Sequence, residues 1–164
     1  MNLDERIERI ERGVGVLLSR LEGIPSAALY QAPAAGEWPV MSTLAHVAEM
    51  LPYWAHQAER IAQAPGAPFG RLHDDPGRLG AIEQHAQDAA DVVREGLHAS
   101  LREAVEALRA LPAAAFDLSG QHPRRGAMPV HEVIDSFMVE HVEEHVQQID
   151  AALRGLGYSP SQVP

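Results

Sequence analysis

Apolar residues recur in steps of three and four along four long segments, and this constrains the fold more than anything else in the chain. The first segment carries Leu3, Ile7, Ile10, Val14, Leu17, Leu21 and Ile24. Such a seam predicts a bundle helix, which Pro25 stops. Asn2 or Asp4 is placed to cap it. Gly13 and Gly15 weaken it or permit close approach of a neighbour. The acids and arginines between the seam residues are expected to form a solvated face. Residues 25–37 read as a small, Ala-rich loop. Pro39 then suits the first turn of a second helix, where its missing N–H is harmless. That helix should reach residue 64 along Val40, Leu44, Val47, Leu51, Trp54, Ala58 and Ile61, with Pro52 kinking it. A loop over 64–78 and a short helix near 79–84 precede the third long helix, residues 88–111. Its inner side is Ala89, Val93, Leu97, Leu101, Val105 and Leu108, and Pro112 ends it. The fourth helix, residues 130–153, opens at Pro129 as the second does at Pro39.

No stretch alternates with period two, so the expected fold class is all-α, a four-helix bundle. Aromatic residues make up only 5% of the chain, which also favours helices over a β-sandwich. Both middle connections are long, so they can cross the bundle end to end or diagonally. A chain of 164 residues reads as one domain, residues 1–154, with 155–164 a frayed tail. With no cysteine, disulfides, thiolate ligands and a cysteine nucleophile are excluded. The net charge of −10 argues against nucleic acid, since Arg124-Arg125 is the sole adjacent basic pair. The same charge disfavours strongly anionic substrates by steering, although a local pocket can differ. No apolar run approaches the ~18 residues of a membrane span. The start, Met1 to Arg6, is charged and amphipathic rather than a signal peptide. A cytoplasmic protein acting on a small molecule is expected, without membrane or nucleic-acid partners.

The fourth segment carries the chemistry. With Ile134 at zero degrees and ~100° per residue, Phe137, Met138, Ile149 and Ala152 fall within ~60° of that direction. His141 lands at about −20° and His145 at about +20°, in the middle of the driest stripe, with Gln148 at about −40°. Two buried imidazoles one turn apart leave ring nitrogens that need partners, and protonating both would set like charges together in a poor solvent. A divalent metal resolves this conflict, because neutral imidazole is its commonest protein ligand. Two core histidines bonded to backbone or water would resolve it equally well, and spacing alone leaves both readings open. His46 sits about 120° from the middle of the second seam, half-exposed by periodicity, though Met50 and Tyr53 share its side. His56 reads as a surface residue. His85 and His98 lie about 140° apart on their wheel, cannot share a site and read as structural.

Three stretches resemble the DinB/YfiT-like family of four-helix bundles. Gly36-Glu37-Trp38-Pro39-Val40, continuing to His46, resembles the family's Gly-x-Trp-Ser-x5-6-His start of the second helix. His141-Val142-Glu143-Glu144-His145, continuing to Gln148-Ile149, resembles its His-x3-His-x2-Gln-[Ile/Leu]. His122-Pro123-Arg124-Arg125-Gly126 resembles a His-Pro-x-x-Gly segment found in some members. One departure is Pro39, where the family has Ser or Thr as a helix cap. The resemblance implies a metal triad of His46, His141 and His145, crossover connections between helices, and a homodimer.

Three histidines without a fourth protein ligand would leave an open position, the mark of a catalytic rather than a structural site. Family members include transferases and isomerases that use low-molecular-weight thiols, and relatives resembling metal-dependent hydrolases. The resemblance therefore implies a metal-dependent transferase with a thiol cosubstrate or a hydrolase, holding zinc or nickel. A non-catalytic metal- or ligand-binding bundle is the alternative. Glu49, Glu140 and Glu144 are candidates to orient the imidazoles, Gln148 to bond within the site, and Trp38 and Tyr53 to line the pocket. His141-x-x-Glu144-His145 also matches an inverted zinc-protease pattern, but too little chain follows His145 for a downstream ligand helix and cleft.

Overall fold

The computed structural model describes residues 1–159. Helix α1 spans Leu3–Ser19, a single turn α2 covers Ser26–Leu29, and α3 runs Val40–Gln63 with Pro52 inside it. A short α4, Pro76–His85, leads to α5, Ala90–Ala110. A 3-10 turn at Ala113–Asp117 precedes a hairpin of β1, Ser119–His122, and β2, Gly126–Pro129. The last long helix is composite. It consists of α6, Val130–Ile134, a π-helical segment Asp135–Val139, and α7, Glu140–Gly155.

The four long helices enclose one core, in which Ile7, Leu17, Met41, Leu44, Met50, Leu51, Leu97, Leu108 and Ile134 are buried. α3 packs against α5 and the composite helix, and α1 packs against the same two. α1 and α3, consecutive long helices, therefore sit on one diagonal, with α5 and α7 on the other. Residues 20–39 and 111–129 must each cross an end of the bundle, whereas the other long middle connection, residues 64–89, joins the neighbours α3 and α5 and does not cross. Among the described residues no helix is long and apolar enough to cross a membrane.

Several expectations are corrected. α1 ends at Ser19 rather than at Pro25, although Leu21 remains buried in the turn beyond it. Its arginines are not simply solvated. Arg6 is buried and bonds both Asp135 oxygens, Nε to Oδ1 at 2.8 Å and Nη2 to Oδ2 at 2.7 Å. Arg9 does the same to Glu143 at 2.9 and 2.7 Å, and Arg20 reaches Asp150 at 2.7 Å. Long basic stems cover apolar surface while their heads find carboxylates, so a polar stripe beside a seam can form a helix interface. Gly13 permits the close approach expected of it, since a Cβ there would lie 2.5 Å from Val142 Cγ1. Gly15 has open space around it.

The hairpin was not expected. It is antiparallel, pairing Ser119 with Pro129 and His122 with Gly126, whose φ of 75° suits glycine. The loop after α3 docks on it, with Phe69 N–H donating to Gln121 C=O and Gln121 N–H to Ala67 C=O, both at 3.0 Å. The expected tail is partly ordered. Gly155 closes α7, Tyr158 N–H donates to Leu153 C=O at 2.9 Å, and the Tyr158 ring packs on the core. Residues 160–164 lie outside the described residues.

Candidate metal centre

The diagonal arrangement brings the middle of α3 beside the start of α7. His46 is 2% exposed, not on a half-wet shoulder, because α3 has neighbours on two sides and its shoulder faces α7. The π-helical segment changes the phase of the residues beyond it. A π turn holds ~4.4 residues rather than ~3.6, so α7 lags an uninterrupted wheel by roughly 90°. Val142 is thereby carried into the core, and His141 moves from the middle of the stripe to its half-buried edge. His145 stays buried. The three rings meet with centroids 5.4 Å (His46–His141), 5.0 Å (His46–His145) and 4.6 Å (His141–His145) apart.

One nitrogen from each ring lies within 4.8 Å of the others. His46 Nε2 and His141 Nε2 are 3.4 Å apart. A tetrahedral ion with bonds of about 2.05 Å requires about 3.3 Å between ligand nitrogens, so this edge already has the right length. His145 Nδ1 lies 2.8 Å from Gln148 Oε1, an acceptor, so Nδ1 carries the proton and Nε2 keeps its lone pair. That Nε2 is buried with no hydrogen-bond partner, as is His46 Nδ1. Burial, followed by the charges of His145, Arg78, His141 and Arg71, lowers the His46 pKa to about 2. Burial, followed by His145, Arg78 and Arg125, lowers His141 to about 4. Burial also lowers His145, against the opposing Gln148 hydrogen bond and Glu144. All three imidazoles are therefore neutral near pH 7, the form that ligates a metal.

The surrounding residues sort differently from expectation. Glu49 Oε2 lies 3.9 Å from His46 Nδ1, and Glu49 is gripped by Arg71 at 2.5 Å. Tyr53 does not line the cavity; its ring supports the Arg71 guanidinium at 3.7 Å. Trp38 stands edge-on to His46 at 5.6 Å and does not line the main cavity; with His145, Gln148 and Arg78, which lines both, it borders a second hollow. Glu140 and Glu144 are exposed at the cavity rim.

A cavity of about 500 Å³ opens over His46 and His141. Beyond His46 and His141 it is lined by Trp54, Phe137, His122, Arg71, Arg78, Arg124 and Arg125, among others. Trp54 and Phe137 stack with centroids 4.0 Å apart.

The DinB superfamily model matches residues 9–149. The chain belongs to the DinB superfamily. Its fold is similar to that of YfiT from Bacillus subtilis, a probable metal-dependent hydrolase with an unusual four-helix bundle topology. That match has a TM-score of 0.77 at 19% identity, over 96% of this chain and 89% of that one. It is also similar to the mycothiol-dependent maleylpyruvate isomerase (TM-score 0.68, 15% identity), covering all of this chain but only 65% of that one. TT2238, a four-helix bundle protein, matches with a TM-score of 0.64 at 18% identity, over 92% of this chain and 99% of that one. No curated protein matches the sequence significantly.

In this DinB-superfamily bundle the triad residues are brought together, while the arginines over them escaped the sequence reading. Arg71 and Arg78 come from a segment read as loop and short helix. Arg124 and Arg125 stand in the sequence as the chain's adjacent basic pair and inside the His-Pro-x-x-Gly segment, and that segment is the signal that points to them.

Proposed function

We propose that this protein is a metal-dependent enzyme acting on small molecules, with His46, His141 and His145 holding a divalent ion, zinc or nickel. The supporting observation is the convergence of three neutral imidazoles, two of which, His46 and His141, line a cavity of about 500 Å³, large enough for a small ligand. With three ligands from the chain, one position stays open to the cavity. A bound ion would supply Lewis acidity and make a water or thiol nucleophilic near neutral pH. The chain's own residues set the frame. Gln148 fixes the His145 tautomer by accepting its Nδ1–H. The Tyr53–Arg71–Glu49 series holds a carboxylate beside His46 Nδ1, where it favours the tautomer with Nε2 free. Trp54 and Phe137 give the cavity an apolar wall that limits water.

Two reactions suit this frame, and the names of the relatives support each: hydrolysis, from the description of YfiT as a probable metal-dependent hydrolase, and thiol-dependent chemistry, from that of the mycothiol-dependent isomerase. Because the chain has no cysteine, the thiol would be a low-molecular-weight cosubstrate. The test is elemental analysis of the purified protein, followed by turnover assays with candidate thiols and electrophiles, and with ester and amide substrates. One divalent ion per chain and turnover lost on chelation are expected. Failure to take up Zn²⁺ or Ni²⁺ would refute the proposal.

A further inference from the structure

The chain carries 23 acidic and 13 basic residues, so a carboxylate partner for any arginine is easy to find. Arg6, Arg9, Arg20 and Arg71 have such partners. Around the cavity the pattern reverses. Four arginines line it against two glutamates, Glu140 and Glu144. Arg71 is neutralised by Glu49, but among the described residues Arg78, Arg124 and Arg125 make no ion pair. Arg78 is partly buried, with Nη1 donating to the His73 carbonyl at 2.7 Å and its guanidinium 5.5 Å from the Trp38 ring centre.

The two remaining arginines are pre-arranged. They occupy the turn between the paired residues His122 and Gly126. His122 is 7% exposed, and its Nδ1 accepts the backbone N–H groups of both Arg124 and Arg125, at 3.3 and 3.2 Å. A buried side chain thus holds the shape of an exposed dibasic turn. The Arg125 guanidinium lies 4.7 Å from the centre of the Phe137 ring, whose stacking on Trp54 fixes it at the cavity wall. Exposed arginine normally wanders, and ordering it beforehand lowers the entropy lost when it binds.

We infer that the His122–Gly126 turn and Arg78 form a carboxylate-binding subsite, so that the substrate of the proposed metal site is a small carboxylate-bearing molecule. This rests on the proposed function for its link to catalysis, but not for binding. Planar guanidinium groups match a carboxylate in paired hydrogen bonds. Glu140 and Glu144 at the rim keep the net positive charge low, which favours a monoanionic carboxylate over a dianionic phosphate. The chain's overall charge would slow the approach of anions, and this local reversal offsets it.

The experiment is isothermal titration of the full-length protein, zinc-loaded and metal-stripped, with phenylacetate, its neutral amide and inorganic phosphate at millimolar concentrations. Phenylacetate should bind both forms, at least tenfold tighter than the amide, and more weakly as salt rises. The R124A/R125A variant changes exposed side chains only, so it should keep its melting temperature and metal content and lose at least tenfold in phenylacetate affinity. Arg78→Met should lose a similar factor. Equal binding of acid and amide, no binding of the acid, tighter binding of phosphate, or unchanged affinity in both variants would each overturn the inference. A protein that takes up no metal yet binds phenylacetate through these arginines would refute the proposed function and leave this inference standing.

Discussion

Metal-stripped protein should lose stability below pH 6.5, by an amount set by the buried histidines. The ordinary histidine pKa is 6.5, whereas His46 is lowered to about 2 and His141 to about 4. At pH 5 the unfolded chain binds a proton at each of these positions and the folded chain does not. Stability then rises with pH over this window, since the unfolded state is the one holding more protons. Each such group contributes a slope of about 1.4 kcal/mol per pH unit, so 1.5 units below 6.5 removes about 2 kcal/mol per histidine and about 4 kcal/mol for the pair. Burial of His145 and His122 lowers their pKa values also, and pushes in the same direction. The assay is urea denaturation of chelator-treated protein at pH 8 and pH 5, for the natural chain and for a His46→Gln/His141→Gln variant. The natural chain should lose about 4 kcal/mol more than the variant between these pH values. Equal losses would show that the two imidazoles titrate alike in the folded and unfolded states, which burial of His46 forbids.

Other perturbations test separate links. Gly13→Ala should destabilise by about 1–2 kcal/mol in thermal or urea unfolding, because a Cβ 2.5 Å from Val142 Cγ1 overpacks the α1–α7 contact despite the better helix propensity of alanine. Arg6→Ala should remove about 3 kcal/mol from the unfolding free energy, since Asp135 loses both of its short hydrogen bonds at a largely buried site. His145→Ala should abolish metal uptake measured by elemental analysis, and in metal-loaded preparations lower the melting temperature. Glu49→Gln should weaken zinc affinity in chelator competition without preventing folding, because it removes the negative charge held 3.9 Å from His46 Nδ1.

The helical frame was legible because its signal is local and repeated. The seams of α1, α3 and α5 need only a period near 3.6, and most of their apolar residues are in the core or packed against it, although Ala89 is exposed and Ala104 and Ala107 are buried in its place. What escaped depends on contacts between segments. Strands β1 and β2 have four residues each, with Gly120, Gly126 and Pro129 among them, and their pairing depends on a loop that docks from residues 66–69. Burial of Arg6 is decided by Asp135, far along the chain. The π turn leaves no mark in composition, yet it shifts every residue after Val139 on the wheel. His141 and His145 survived that shift as a pair because both lie beyond it and rotate together. Their four-residue spacing was therefore a sounder guide than their absolute phase.

The same distinction explains the cavity. Its floor comes from regular helices, α3 and α7, whose histidine positions depend on spacing and on which helices are neighbours. Its walls and rim come partly from the connections, residues 71–78 and 122–125, where no periodicity assigns a direction to a side chain. The diagonal topology links the two. If consecutive long helices were all neighbours, short loops would suffice at each end. Because α1 and α3 share one diagonal and α5 and α7 the other, the chain needs a long run after Ala110 to reach Val130. That run folds into a hairpin, and the hairpin turn sets Arg124 and Arg125 over His141. The diagonal crossing is thus also what brings positive charge over His46 and His141.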